Sequence, residues 1–195
     1  MADYVYAIIY DSTGNFAAFT KNASGYFFSD GNSSGNIVTA GQPLNGGGKF
    51  AFPGGALNTD EDTTAGAIRE FKEETNYDLT NNYTDTFFEK YLTASATYYG
   101  VYFKVASLST IISTITANLL QGSQAMADVQ SGKITAYADI FTAYPNCPPD
   151  NELATVASWN LVNDEIKIQA LNDDTDTDWF YDILDYLYDR EFHTS

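Results

Sequence analysis

The chain has 195 residues, 44% of them hydrophobic, with 13 Phe and 15 Tyr, which is enough for one domain with a substantial core and argues against full disorder. Its net charge of −17, with only nine Lys and Arg, argues against long nucleic acids, which need a basic footprint, and makes anionic membrane surfaces poor partners. A small phosphorylated substrate stays open, because a bound metal inverts the local electrostatics.

Cys147 is the only cysteine, so an intrachain disulfide is excluded, and its Tyr144–Pro149 loop reads as holding an incidental thiol. His193 is the only histidine. Histidine-rich zinc sites are therefore excluded, and any Ser-His-Asp or Cys-His arrangement would depend on that one imidazole. Met1-Ala2-Asp3 lacks a basic n-region, and no apolar run approaches membrane-spanning length, so the expected location is cytoplasmic.

In chain order, Tyr4 to Tyr10 (YVYAIIY) predicts a buried strand, and Phe16 to Thr20 a return strand after the turn chemistry of residues 11–15. The Gly-, Ser- and Asn-rich stretch from Asn22 to Lys49 predicts short strands joined by loops. Its Gly46-Gly47-Gly48-Lys49 lacks the spacing and the hydroxyl of a phosphate loop and reads as a connector. Asn58 to Asp62 forms a polar entry to a helix, capped by Thr59 with Asp62 or by Asp62 alone. Thr64, Ile68, Phe71 and Thr75 make its expected core stripe, and Asn76 lies where a left-handed cap is needed.

Phe87 to Thr93 and Thr97 to Val105 predict two further strands. From Ser107 the apolar period becomes helical, with Ser107 a candidate cap and Gly122 a candidate stop. Further helical segments run through Met126 and Val129 to Gly132, and from Ile134 to Phe141. Glu152 to Val162 predicts one more strand, carrying Trp159. Trp179, Phe180, Ile183, Leu184 and Leu187 form the stripe of a terminal helix.

The helix from residue 63 onward carries Glu70, Glu73 and Glu74 within an arc of roughly 100°. Like charges at i, i+3 and i+4 cost a few tenths of a kcal/mol per pair in an isolated helix. Either this is a solvated acidic face, or a hard divalent ion offsets the repulsion, since Mg²⁺ prefers carboxylate oxygens and keeps waters for a phosphate substrate.

Gly55, five residues, Glu61, seven residues, then Arg69-Glu70-Phe71-Lys72-Glu73-Glu74-Thr75-Asn76-Tyr77 resembles the signature box of the Nudix hydrolases, the MutT-like pyrophosphohydrolases. Every specified position matches except Asn76, where the family has Gly, and Phe52-Pro53-Gly54 matches the usual approach to the box. The resemblance implies a Nudix-type α/β/α sandwich around a mixed β-sheet. The chain then reads as a single domain, 1–195, with a helical insertion at about 107–144. That insertion and the long 22–49 segment are where substrate choice or dimerisation would be encoded, and family members are often homodimers.

The resemblance also implies roles. The Gly54 carbonyl, Glu73 and Glu74 would hold Mg²⁺ (or Mn²⁺). Glu70 would bind metal, directly or through water, or take the proton of the attacking water. Glu61 would bind metal through water or complete a second site. Arg69 would orient Glu61 or Glu70 through its planar fork. Family enzymes often supply another carboxylate from outside the box. Glu152, with Asp150 close by, stands where such a group would enter, a solvated strand-edge acid being the other reading. The implied reaction is hydrolysis of a nucleoside diphosphate linked to another group X. The alternative is a non-catalytic Nudix-fold nucleotide sensor.

Overall fold

The computed structural model describes residues 2–31, 34–93, 96–173 and 177–193. Strand β1 (Ala2–Tyr10) is the axis of a mixed seven-stranded sheet. On one side it runs parallel to β8 (Ala96–Lys104), in register from Ala2↔Ala96 to Tyr10↔Lys104. On the other side its first half pairs antiparallel with β6 (Gly54–Ala56) and its end meets β2 (Asn15–Lys21) at Tyr10↔Phe16. The expected hairpin thus touches at its base and then splays, leaving β2 to pair with β5 (Phe50–Ala51) and β9 (Leu153–Asn160). Strand β7 (Asp85–Leu92) closes the far edge, antiparallel to β8.

Because successive side chains on a strand alternate between faces, β1 feeds two cores. Val5, Ala7 and Ile9 pack beneath α1 (Thr63–Thr75) and α2 (Leu108–Gln130), against Phe71, Leu108, Ile111 and Ile115. Ile8 and Tyr10 pack on the opposite face against Phe180, Ile183, Leu184 and Leu187 of α5 (Asp178–Glu191). The result is the expected α/β/α sandwich. The 22–49 stretch forms a separate hairpin, β3 (Ser24–Ser29) and β4 (Gly35–Pro43). With the second half of α2 and with α3 (Tyr137–Ala143), it builds a third cluster around Phe27, Val129, Ile140 and Cys147.

Gly122 does not stop a helix, as its composition predicted; α2 runs unbroken for 23 residues. A Cβ at Gly122 would lie 3.3 Å from Pro148 Cδ, so the missing side chain serves close packing of the 145–149 loop. Ser107 stands at the N-cap but makes no capping bond; its hydroxyl pairs with Thr110 at 2.8 Å.

The start of α1 is capped by Asp62, which accepts from the backbone N–H groups of Thr64 and Ala65. Its end turns at Asn76, in the left-handed region at φ 51° and ψ 31°, with its N–H bonded to the Lys72 carbonyl. Asn118, buried on α2, donates to the carbonyls of Thr75 and Asn76 at 3.0 and 3.2 Å, so the helix insertion caps the acidic helix. Asn76→Ala should cost about 1–2 kcal/mol from the left-handed backbone. Asn118→Leu should cost about 1–3 kcal/mol from two carbonyls left unpaired. Urea unfolding checks both, and Asn76→Gly should be neutral or stabilising.

Candidate metal and active site

Glu70 and Glu74 are buried, at 8% and 2% exposure, as are Phe71 and Thr75, while Thr64 and Ile68 are only half-buried. Helical spacing sets the three glutamates on a stripe beside the core stripe, and two of them are buried there. The reason is the loop before the helix, which brings β6 against this side of α1. A Cβ on Gly55 would lie 2.6 Å from Glu70 Oε2, and one on Gly54 would lie 2.2 Å from the Val5 carbonyl oxygen. Only glycines let the sheet edge and the carboxylates approach this closely.

Glu74 Oε1 accepts from the Gly54 N–H at 3.2 Å, whereas Oε2 is buried with no hydrogen-bond partner among the described residues. Burial, then the charges of Glu152 and Glu70, push the Glu74 carboxyl well above the usual range, with Lys21 opposing. Glu70 is also raised, first by burial and then by Glu73 and Glu152, against the pull of Arg69.

Arg69 organises the outer half of the site. Its Nε and Nη2 hold both oxygens of Glu61 at 2.9 Å, Nη1 reaches Glu70 at 2.6 Å and Glu73 at 3.3 Å, and Nη2 also donates to the Ala56 carbonyl. Glu61 accepts a further bond from the Asn58 N–H, and the Arg69 hydrogen bonds hold its carboxyl below the ordinary value.

From outside the box, Glu152 pairs with Lys21 at 2.7 Å. Burial works against the Lys21 charge, but Glu74, Glu152 and Glu70 together hold its ammonium above the ordinary value. Asp150 donates its N–H to the Glu73 carbonyl, and its carboxylate accepts from the Ser29 N–H. Burial, then Glu73, Glu152 and Glu70, push the Asp150 carboxyl up to about 7 against that hydrogen bond. Sequence reading named Asp150 only as a neighbour of Glu152 and passed over Lys21, 131 positions away from its partner. The only available signal was the scarcity of basic residues.

Among the described residues, no three His, Cys, Asp or Glu side chains meet closely enough to enclose a metal on their own. His193 is exposed, 3.1 Å from Asp189, and Cys147 is buried in the third cluster with its thiol pushed up to about 12 by burial.

The NUDIX domain model matches residues 21–125, more than half of the chain. The protein belongs to the NUDIX family. A search of curated proteins finds no match. Among solved structures, the chain is similar to a MutT protein from Methanosarcina mazei Go1, at 14% identity and a TM-score of 0.46, over 99% of this chain and 96% of that one. It is also similar to a NUDIX hydrolase from Nitrosomonas europaea, at 14% identity and a TM-score of 0.44, over 93% and 86%. A C. elegans Ap4A hydrolase matches at 17% identity and a TM-score of 0.30, over 55% of this chain and 69% of that chain. No helix among the described residues is long and apolar enough to cross a membrane.

Glu61→Gln should destabilise the protein by about 1.5–3 kcal/mol at pH 7, the scale of hydrogen bonds to a charged group. The folded-state pKa is depressed, so this contribution is fully present above pH ~4.5 and is lost as pH falls through the folded value. Denaturant unfolding of both forms between pH 7 and 3 should show the gap closing on the acid side.

Proposed function

We propose that the protein is a pyrophosphohydrolase that uses Mg²⁺ (or Mn²⁺) to hydrolyse a nucleoside diphosphate linked to a group X, giving a nucleoside monophosphate and phospho-X. The single observation that carries this reading is the orphaned Glu74 Oε2, buried beside Gly54 and facing the like charges of Glu70 and Glu152. An unpaired buried carboxylate oxygen is costly unless something cationic completes it. The donor set is all oxygen, which suits a hard divalent ion.

Glu70, Glu73, Glu74 and the Gly54 carbonyl would hold such an ion. Bound there, it would supply charge neutralisation and activate the attacking water. Arg69 keeps Glu70 and Glu73 turned toward one another, and Glu61 in turn fixes the Arg69 fork. Glu152 or Asp150 takes the proton of the attacking water; Asp150, its carboxyl pushed up to about 7, is part carboxylate at neutral pH and matches the pKa of a base to the working pH. The water oxygen forms the new P–O bond, the bridging P–O bond breaks, and the bridging oxygen leaves on the other product. Residues 1–195 act in this reading as one domain, with α2 buttressing the end of α1 through Asn118.

One observation favours the nucleotide-sensor reading: three acidic side chains do not enclose a metal among the described residues, and Arg69 and Lys21 already engage most of the carboxylates. A Mg²⁺ assay against ADP-ribose, NADH, nucleotide sugars, dinucleoside polyphosphates, CoA and nucleoside triphosphates separates the two. Turnover of one class, reduced by more than about 100-fold in Glu74→Gln, is the expected result. Tight binding with no turnover of any compound would establish the sensor.

Glu74 also has a signature in stability. A carboxyl whose folded pKa is raised loses stability as pH rises through that value, and Gln carries no charge to bury. Without metal, Glu74→Gln should therefore melt higher than the parent at neutral pH and above, and Mg²⁺ should raise the Tm of the parent only. An equal Mg²⁺ shift in both proteins would remove Glu74 from the metal site.

A further inference from the structure

Residues 149–152 lead into β9 as irregular backbone, yet each of them is tied down. The Pro149 carbonyl accepts from the Tyr137 hydroxyl of α3 at 3.0 Å. The Asp150 carboxylate accepts from the Ser29 N–H, at the end of β3. The Asn151 N–H donates to the Phe27 carbonyl at 3.0 Å, and the Glu152 carbonyl accepts from the Asn22 N–H at 2.7 Å. Asn22 Nδ2 also donates to the carbonyls of Asn151 and Leu153, at 3.3 and 3.2 Å.

Asn151 is the centre of this seam. It is 3% exposed, and its Oδ1 accepts from the Tyr26 N–H at 3.3 Å, where the β3–β4 register shifts. A Cβ on Gly25 would lie 3.3 Å from the Asn151 carbonyl oxygen, so the hairpin meets Asn151 through a residue without a side chain.

Its two neighbours are the carboxylates that reach the acidic site from outside the box. The Asp150 N–H bonds to the Glu73 carbonyl at 2.9 Å, Glu152 pairs with Lys21, and the charges of both interact with Glu70. Like charges at such range repel, so the glutamates of α1 push this segment away, and Lys21 alone pulls Glu152 back. The hairpin opposes that repulsion with uncharged groups, which add no further charge to the site.

We infer that Asn151 is a positioning residue, through which the β3–β4 hairpin holds Asp150 and Glu152 against the glutamates of α1. The inference rests on the pyrophosphohydrolase reading for the step it serves, the removal of a proton from the attacking water. Misplacing such a group by about 1 Å costs on the order of 100-fold in rate without weakening substrate binding.

Two measurements on the full chain test this. The first is Mg²⁺-dependent turnover of ADP-ribose, NADH, nucleotide sugars, dinucleoside polyphosphates, CoA and nucleoside triphosphates. On the compound turned over fastest, Asn151→Ala should lower kcat by about 10–100-fold and change KM by less than about 2-fold. Asn22→Ala, at a half-buried position on the same seam, should act in the same direction, and the double variant should cost less than the two effects combined. The second is hydrogen–deuterium exchange of the protein alone. In Asn151→Ala the Asp150 amide should exchange at least about 5-fold faster, the scale of one weakened hydrogen bond, while β1 amides are unchanged. Where Asn151→Ala does not fold, Asn22→Ala carries both measurements. Unchanged kcat in an active protein, or unchanged exchange at Asp150, overturns the inference. Faster exchange at Asp150 in a protein that hydrolyses none of the compounds sustains the seam and removes the reaction.

Discussion

The close approach of α1 to the β1–β6 edge governs the rest of this molecule. Gly55 leaves no side chain between β6 and Glu70, Gly54 leaves none between β6 and β1, and the fold presses Glu70 and Glu74 inside beside them. Buried carboxylates repel one another and resist losing water. The surrounding architecture answers that cost in graded ways. Arg69 takes up Glu61, Glu70 and Glu73 on the outer side, Lys21 balances Glu152 on the inner side, and the Gly54 amide satisfies half of Glu74. Among the described residues, Glu74 Oε2 is the carboxylate oxygen of this group left fully buried without a hydrogen-bond partner, with excess negative charge around it.

The segments flanking this site are tied to it through backbone atoms as much as through side chains. The Asp150 N–H bonds to the Glu73 carbonyl, the Asn151 N–H to the Phe27 carbonyl, and the Asn22 N–H to the Glu152 carbonyl. A stretch just before β9 therefore links the β3–β4 hairpin to the helix that carries the box. Asn118 does the equivalent from α2 by closing the end of α1. The two segments outside the minimal core thus act first as supports for the geometry of the acids. This explains why so much polar bonding in this region is long-range in sequence.

The faces of the sheet divide the work. The buried glutamates lie on the α1 face, while Tyr6 and Trp179 pack in the core beneath α5. Such a division follows from strand alternation on β1, where Val5 and Tyr6 point to opposite cores although they are neighbours in the chain.

The box spacing from Gly55 to Tyr77 was enough by itself to identify the family, to single out Arg69 and the glutamates, and to mark Asn76 as a tolerable substitute for glycine. Each of these depends on local geometry, a helix of 3.6 residues per turn and a left-handed cap, which short-range sequence encodes. Helical geometry left the burial of the acids open, because periodicity counts polarity and Glu70 and Glu74 are polar yet inside. Gly122 misled for a related reason: whether glycine ends a helix or admits a neighbour depends on Pro148, which only the folded chain brings there. The pairing of Lys21 with Glu152 and the insertion of Asp150 beside Glu73 were decided by tertiary structure alone. They join residues whose contact depends on strand order and packing, and no local pattern in the sequence records either.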